Sequence, residues 1–259
     1  MGASPAVARR LGRRKSWLAL VLLAATVAGT VSLGRWQLDR AAEKRAVLAQ
    51  VEAGRQLPPL RLAPSLTGDE LVPWRPAQAS GHWLADRTVL LENRMSGGRP
   101  GFWVVTPLAL DQGGPAGAVA VLRGWLPRPM PDGPVAVETP SGPVTVRGVL
   151  VPHIPRLLDL GALGGHPERL SPEWPGEAGE PPRVQNLELE PYAQAAGLAL
   201  LPAVLEQTEA AGDGLVRDWA GPPTNIDTHR GYALQWFSFA AIAAIAFGVL
   251  LVRTLRSTR

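Results

Sequence analysis

The sequence predicts a membrane α+β protein in which two transmembrane helices, N- and C-terminal, flank a mainly antiparallel-β extracytoplasmic domain. Three observations carry that expectation. In this 259-residue chain no charged residue occurs from Ser16 to Gly34, nor from Gly231 to Val252, runs of 19 and 22 residues. Basic residues crowd the two ends outside those runs. Between the runs lie short β-branched and aromatic segments separated by turn residues.

As helices the apolar runs span about 28 and 33 Å, which matches a hydrocarbon core of about 30 Å. Inside lipid the backbone finds no water partner, so an isolated run of this length must be helical. The first run has a basic start, and Arg13-Arg14-Lys15-Ser16-Trp17-Leu18 loosely resembles a twin-arginine signal. It is longer than the usual apolar region of a signal peptide, and no clear small-x-small site precedes Arg35. It is expected to be a retained anchor.

Charge sets the expected orientation. Residues 1–15 carry Arg9, Arg10, Arg13, Arg14 and Lys15, and Arg253, Arg256 and Arg259 follow the second run, all without an acid. The section between has 18 of the 26 basic residues and all 22 acids, a net charge of −4 against +8 at the ends. Lys and Arg near membrane ends stay in the cytoplasm. The expected organisation is therefore a cytoplasmic tail (1–15), a first membrane helix (16–34), an extracytoplasmic β-rich domain (35–230), a second membrane helix (231–252) and a cytoplasmic tail (253–259). The high sequence pI reflects the tails and implies no nucleic-acid partner. Trp17, Trp36, Tyr232 and Trp236 sit at the expected interfaces, where amphipathic rings prefer to be. The chain has no cysteine, which excludes disulfides, thiolate metal sites and thiol redox chemistry.

Within the middle section, Arg35–Ala53 continues the first helix as good helix formers that should stop by Gly54. Prolines 58, 59, 64 and 73 then form a linker. Strands are expected at Arg75–His82, Arg87–Glu92, Phe102–Leu110, Ala118–Leu126 and Pro143–Val151. Gly97-Gly98 and Gly113-Gly114 punctuate them as hairpins. The spacing favours a meander, sandwich or small barrel over βαβ units. Residues 152–182 read as a long irregular loop, 191–198 as a short helix and 200–205 as a last strand.

The chain shows no Walker loop, nucleophile elbow or paired-His ligand motif, so no enzyme is expected. Of the four histidines, His229 stands apart at the mouth of the second membrane helix. On an ideal helix His229, Tyr232, Ala233, Trp236 and Ala240 share a face. That face continues as Ala240-x-x-x-Ala244-x-x-x-Gly248, with Ala25-x-x-x-Gly29 as a matching small-residue stripe on the first helix. Two readings of His229 stand side by side. One is an interfacial anchor hydrogen-bonded to a neighbouring loop, the other an imidazole offered to a metal such as haem iron.

Gly34-Arg35-Trp36-Gln37-Leu38-Asp39-Arg40 with Lys44, Asn93-Arg94, Gly101–Leu108, Val121–Pro127 and His229–Phe237 occur in an order that resembles the surfeit locus protein one family of cytochrome oxidase assembly factors. The sequence departs from the family pattern at Thr228, where Asn is frequent, and residues 152–182 match no motif. The resemblance implies a non-enzymatic assembly factor of the bacterial inner membrane, with both termini cytoplasmic. It would serve a haem–copper terminal oxidase, binding haem a and aiding its delivery to the catalytic subunit. It implies His229 as the axial ligand to haem iron, Tyr232 and Trp236 as walls of the haem face, and Arg123 as a propionate partner. The alternative for Arg123 is a strand-end residue stacked on Trp125. Trp36, Arg40 and Lys44, spaced i, i+4, i+8, form a face for the oxidase or for lipid phosphates. The competing function is a membrane scaffold for oxidase subunits that binds no haem.

Overall fold

The computed structural model describes residues 5–111, 117–131, 133–158, 170, 180–219, 221 and 226–256. The chain divides into two units: Met1–Ala49 with Pro222–Arg259, and Gln50–Gly221.

Helix α1 runs from Pro5 to Arg55 and helix α3 from Ile226 to Arg256. Both contain stretches long and apolar enough to cross a membrane. The polar continuation of α1 stops one residue beyond Gly54, within the ordinary blur of a helix end.

The second unit is built on β1 (Leu60–Arg61), β2 (Pro76–Trp83), β3 (Val89–Ser96), β4 (Arg99–Leu110), β5 (Gly117–Pro127), β6 (Pro143–Val151), β7 (Arg183–Val184), helix α2 (Leu189–Ala196) and β8 (Ala199–Gln207). Of the three expected architectures it is the small barrel. β2, β6, β8, β5 and β4 pair in that order, and β4 pairs again with β2 to close the ring. β3 extends β4 outward and carries β7 on its far edge, while β1 lies beside β2. The barrel pairs are antiparallel except β5–β8, which is parallel because α2 returns the chain before β8 enters. Gly97-Gly98, both at positive φ, make the β3–β4 turn. Gly113-Gly114 and most of the 152–182 loop lie outside the described residues.

Alternation decides where the apolar side chains go. Ala77 and Ala79, Leu108, Val119 and Val121, Val146, and Leu201 and Leu205 come from the five ring strands and form one buried cluster, the filling of the barrel. The opposite residues of β5, Ala120 and Leu122, join Val89, Leu91, Val204 and Tyr192 in a second core between the sheet and α2. β5 is thus buried at nine consecutive positions, the pattern of a strand covered on both faces. Tyr192 is fully buried, and its hydroxyl donates to the Arg87 carbonyl at 2.6 Å.

Two glycines permit the closure. Gly81 pairs with Leu110 of β4 and Val144 of β6, so it stands where β2 is shared between both neighbours. A Cβ there would lie 1.7 Å from the Ala109 carbonyl oxygen. Gly148 is similarly placed, with the Glu206 carbonyl oxygen 2.0 Å from a Cβ position. Next to the seam His82 Nδ1 lies 3.0 Å from Asp111 Oδ1.

Glu206, on β8, is the one barrel carboxyl pushed far upward, to about 7, by burial that Arg55 only partly offsets.

Gly81→Ala should lower the unfolding free energy by at least about 2 kcal/mol, whereas Gly68→Ala, with open space around its Cβ, stays within about 0.5. Urea unfolding of the full chain in detergent, followed by tryptophan fluorescence, measures both; equal effects would contradict the tight seam. Because folding raises the Glu206 pKa, its favourable contribution is complete below about 4.5 and fades as pH rises through about 7. Glu206→Gln should therefore match wild type at pH 4 and exceed it by about 1–2 kcal/mol at pH 8, a figure discounted for partial exposure.

Candidate functional site

The first unit holds the His229–Phe237 motif. α1 turns Gly34, Gln37, Ala41 and Lys44 inward at three- and four-residue steps, and α3 answers with His229, Ala233, Ala240 and Ala243. Gly34 makes the approach possible, since a Cβ there would come within 2.8 Å of the Phe237 ring. Nearer the N-terminus the buried residue of α1 is Leu20, and the expected Ala25/Gly29 stripe is not buried. Ala25 and Gly29 are exposed, and Gly29 has nothing within 4 Å of its Cβ position. On α3 the buried alanines are Ala233, Ala240 and Ala243, so the expected stripe of Ala240, Ala244 and Gly248 is not the buried one. The reason is rotational: small residues permit close approach but do not choose which face turns inward.

His229 is half-buried between two residues of α1. Its Nε2 lies 2.8 Å from Lys44 Nζ and its Nδ1 lies 2.6 Å from Gln37 Oε1. These partners fix the ring's proton. An ammonium can only donate, so Nε2 must accept, and the remaining ring proton sits on Nδ1. Gln37 must then present its oxygen, because the flipped amide would set donor against donor. The imidazole is thus held at both nitrogens, with its Nε2 lone pair directed at Lys44. The expected loop partner for an anchoring histidine is replaced by a neighbouring helix.

The other residues of the motif fall elsewhere. Tyr232 is 51% exposed and does not share the packed face with His229. Trp236 is half-buried and meets Phe239 edge to face at 6.0 Å. Trp36 is 50% exposed, with the Arg40 guanidinium 5.8 Å from its ring centre and bonded to Glu43 at 2.8 Å. The helical face expected to hold Trp36, Arg40 and Lys44 together is therefore divided: two residues stay outward and Lys44 turns toward α3.

Arg123 belongs to the barrel unit and is 1% exposed. Its Nη1 donates to Thr139 Oγ1 at 2.8 Å, and its Nη2 donates to the Glu138 carbonyl at 2.7 Å and to Asp213 Oδ2 at 3.2 Å. Asp213 is also gripped by Arg217 at 2.7 and 2.8 Å. Burial pulls the Arg123 guanidinium down while Asp213 pulls it back up. Burial pushes the Asp213 carboxyl up, but bonds and charge from Arg217, with help from Leu215 and Arg123, hold it below the usual range. The carboxylate paired with Arg123 is thus one of the chain's own. Its guanidinium lies over Trp83 at 4.9 Å, not over Trp125 as the strand-end alternative expected; Trp125 takes Arg99 at 5.6 Å. A bulge explains this. Val104 pairs Gly124 while Val105 pairs Leu122, so Arg123 is the extra residue, and the alternation that would align it with Trp125 is broken.

Asn93-Arg94 and its neighbours in the Gly101–Leu108 and Val121–Pro127 motifs are held by the chain's own groups in the same way. Asn93, at φ 60°, takes up the irregularity in β3 that turns Arg94 inward. Arg94 donates to the Pro155 and Gln185 carbonyls at 2.9 and 2.8 Å and lies over Trp103 at 4.5 Å, and burial lowers its pKa to about 10. Trp125 Nε1 donates to the Arg94 carbonyl at 2.9 Å. Among the described residues no cluster of three His, Asp or Glu side chains is set to hold a metal. Sequence reasoning assigned no part to Gln37, Asp213 or Thr139. Gln37 was legible beside Trp36 in the Gly34–Arg40 motif; the other two carry no local signal.

The model of the SURF1 family matches residues 24–241. A SURF1-like protein of Rickettsia felis is 32% identical over 108 residues, covering 41% of this chain and 44% of the relative. One of Rickettsia bellii is 33% identical over 97 residues, covering 37% and 38%. The aligned stretch thus spans less than half the length of these curated relatives.

Arg123→Met should cost about 2–4 kcal/mol, because it leaves Asp213 buried with one partner fewer. Urea unfolding measures it, and a change within about 0.5 kcal/mol would show the pair to be dispensable.

Proposed function

The chain belongs to the SURF1 family, and on that premise we propose that it is an assembly factor for a haem–copper terminal (cytochrome c) oxidase. In this reading it is a non-enzymatic protein of the bacterial inner membrane, with both termini cytoplasmic and the barrel unit periplasmic. It binds haem a through His229 and aids delivery of the haem to the oxidase's catalytic subunit. The orientation rests on the basic ends of the sequence.

The observation that carries the haem part is the way His229 is held, with Gln37 Oε1 at its Nδ1 and Lys44 Nζ at its Nε2. A histidine that ligates iron does so through a neutral nitrogen, while the other ring N–H is held by an acceptor. Gln37 provides such an acceptor at Nδ1, at 2.6 Å, and leaves Nε2 as the donor atom. The donor set therefore fits a haem iron, provided that Lys44 yields. Haem, when bound, would supply the iron and an apolar ring. His229 ligates, Gln37 orients it, and the helix crossing at Gly34 keeps the two helices close enough for both. Trp36 and Arg40, exposed and stacked, form the contact for the oxidase or for lipid phosphates.

A haem-free scaffold is the second reading, and Arg123 favours it. That residue is buried, and Asp213 already occupies the position that a haem propionate would take. In the haem reading its role is accordingly to hold the barrel.

An absorption spectrum of the protein purified from cells that make haem a tests the proposal. A haem band should appear for wild type and vanish for His229→Ala, with both variants folded. A colourless, folded wild type that still captures oxidase subunits would leave the scaffold.

A further inference from the structure

We infer that Lys44 is a latch on His229: in the ligand-free protein its ammonium occupies the Nε2 lone pair, and an incoming ligand must displace it. The inference rests on the haem reading only for the identity of that ligand. The contact itself is a feature of the free protein, at 2.8 Å.

Three observations point to a latch rather than a passive bond. Lys44 and His229 are 185 residues apart in sequence and come from different helices, so the contact depends on the helix crossing. The two nitrogens of the ring are bound differently. Gln37 is a neutral acceptor that keeps Nδ1 protonated, so removing it frees the tautomer. Lys44 is a cationic donor that directly covers the atom able to act as a nucleophile or ligand. Finally, Lys is suited to a displaceable cover. Its ammonium is strongly hydrated and sits on a flexible four-carbon stem, so it can leave Nε2 for water or for an anionic group without moving either helix. Lys44 lies ten residues beyond Gly34, at the end of the apolar run, where such a stem can reach the aqueous interface.

The latch has two consequences. It keeps a basic imidazole from capturing stray metal ions or protons while no ligand is present. It also makes loading a competition, so the affinity of His229 for haem is set by α1 as well as by α3. A charge-assisted bond of this kind lowers the availability of Nε2 by about tenfold or more.

The test uses the full chain in detergent micelles. Carbethoxylation by diethyl pyrocarbonate, read at the His229 peptide by mass spectrometry, reports access to the ring nitrogen without any haem. Lys44→Met should speed modification of His229 about tenfold or more over wild type. Lys44→Arg, which keeps a cationic donor, should remain slow. Arg45→Met, which removes the adjacent charge, should match wild type. Equal rates for wild type and Lys44→Met would overturn the latch, and so would equal acceleration by Arg45→Met. Haem titration of the same samples then separates this inference from the proposed function. Where wild type binds haem, Lys44→Met should bind it about tenfold tighter, and unchanged or weaker binding by Lys44→Met would overturn the latch. A wild type and a Lys44→Met that both fail to bind haem, with the carbethoxylation difference intact, would overturn the haem reading and leave the latch standing.

Discussion

A ring of five strands closes only if its first and last members pair, and here the pairing falls on a short stretch of β2 already engaged with β6. Gly81, His82 and Trp83 meet β4 while Gly81 and His82 also meet β6. Two backbones can flank β2 so closely because Gly81 has no side chain to place against the Ala109 carbonyl. Once the ring is shut, its alternating positions enclose an apolar filling, and the outer face of β5 becomes the floor of a second core under α2. The buried ion cluster of Arg123, Asp213 and Arg217 follows from the same geometry. A bulge in β5 turns Arg123 out of the regular alternation and toward the segment after β8. Burying these charges is tolerable because each is met by an opposite charge and by hydrogen bonds.

The helix pair obeys a different constraint. Two long helices approach closely only where small side chains let their backbones meet and where polar groups on one find partners on the other. Gly34 supplies the first against Phe237, and Gln37 and Lys44 supply the second through His229. One imidazole therefore serves as both a structural bridge and a candidate ligand. The same two contacts that hold it also define its chemistry, since they choose the tautomer and cover the lone pair.

Much of this was legible in the sequence, for identifiable reasons. The two uncharged runs, the strands from Pro76 to Val151, the short helix and the last strand are local signals of hydropathy and turn chemistry. The strand order is not local. Nothing near β8 indicates that it slips between β5 and β6, or that it runs parallel to β5, and the two-residue strands β1 and β7 are too short to leave a pattern. The small-residue stripe at Ala25 and Gly29 misled because such spacing recurs on more than one face of a helix, and only the partner selects among them. His229, Lys44 and Gln37 were each visible within motifs, but their union depends on a helix crossing across 185 to 192 residues. For Arg123 the sequence offered a charge without its partner, because Asp213 stands 90 residues away in a loop with no motif of its own.

The proposed haem role of His229 has a direct consequence in the cell. The most direct measurement is the oxidase content of membranes, by reduced-minus-oxidised difference spectrum and oxygen consumption, from cells in which the chain is deleted and then restored. Deletion should remove most of the haem a signal and the activity. The wild-type chain should restore both, and the His229→Ala chain, present in the membrane at equal level, should restore neither. Full oxidase in the deletion strain, or full rescue by His229→Ala, would contradict it.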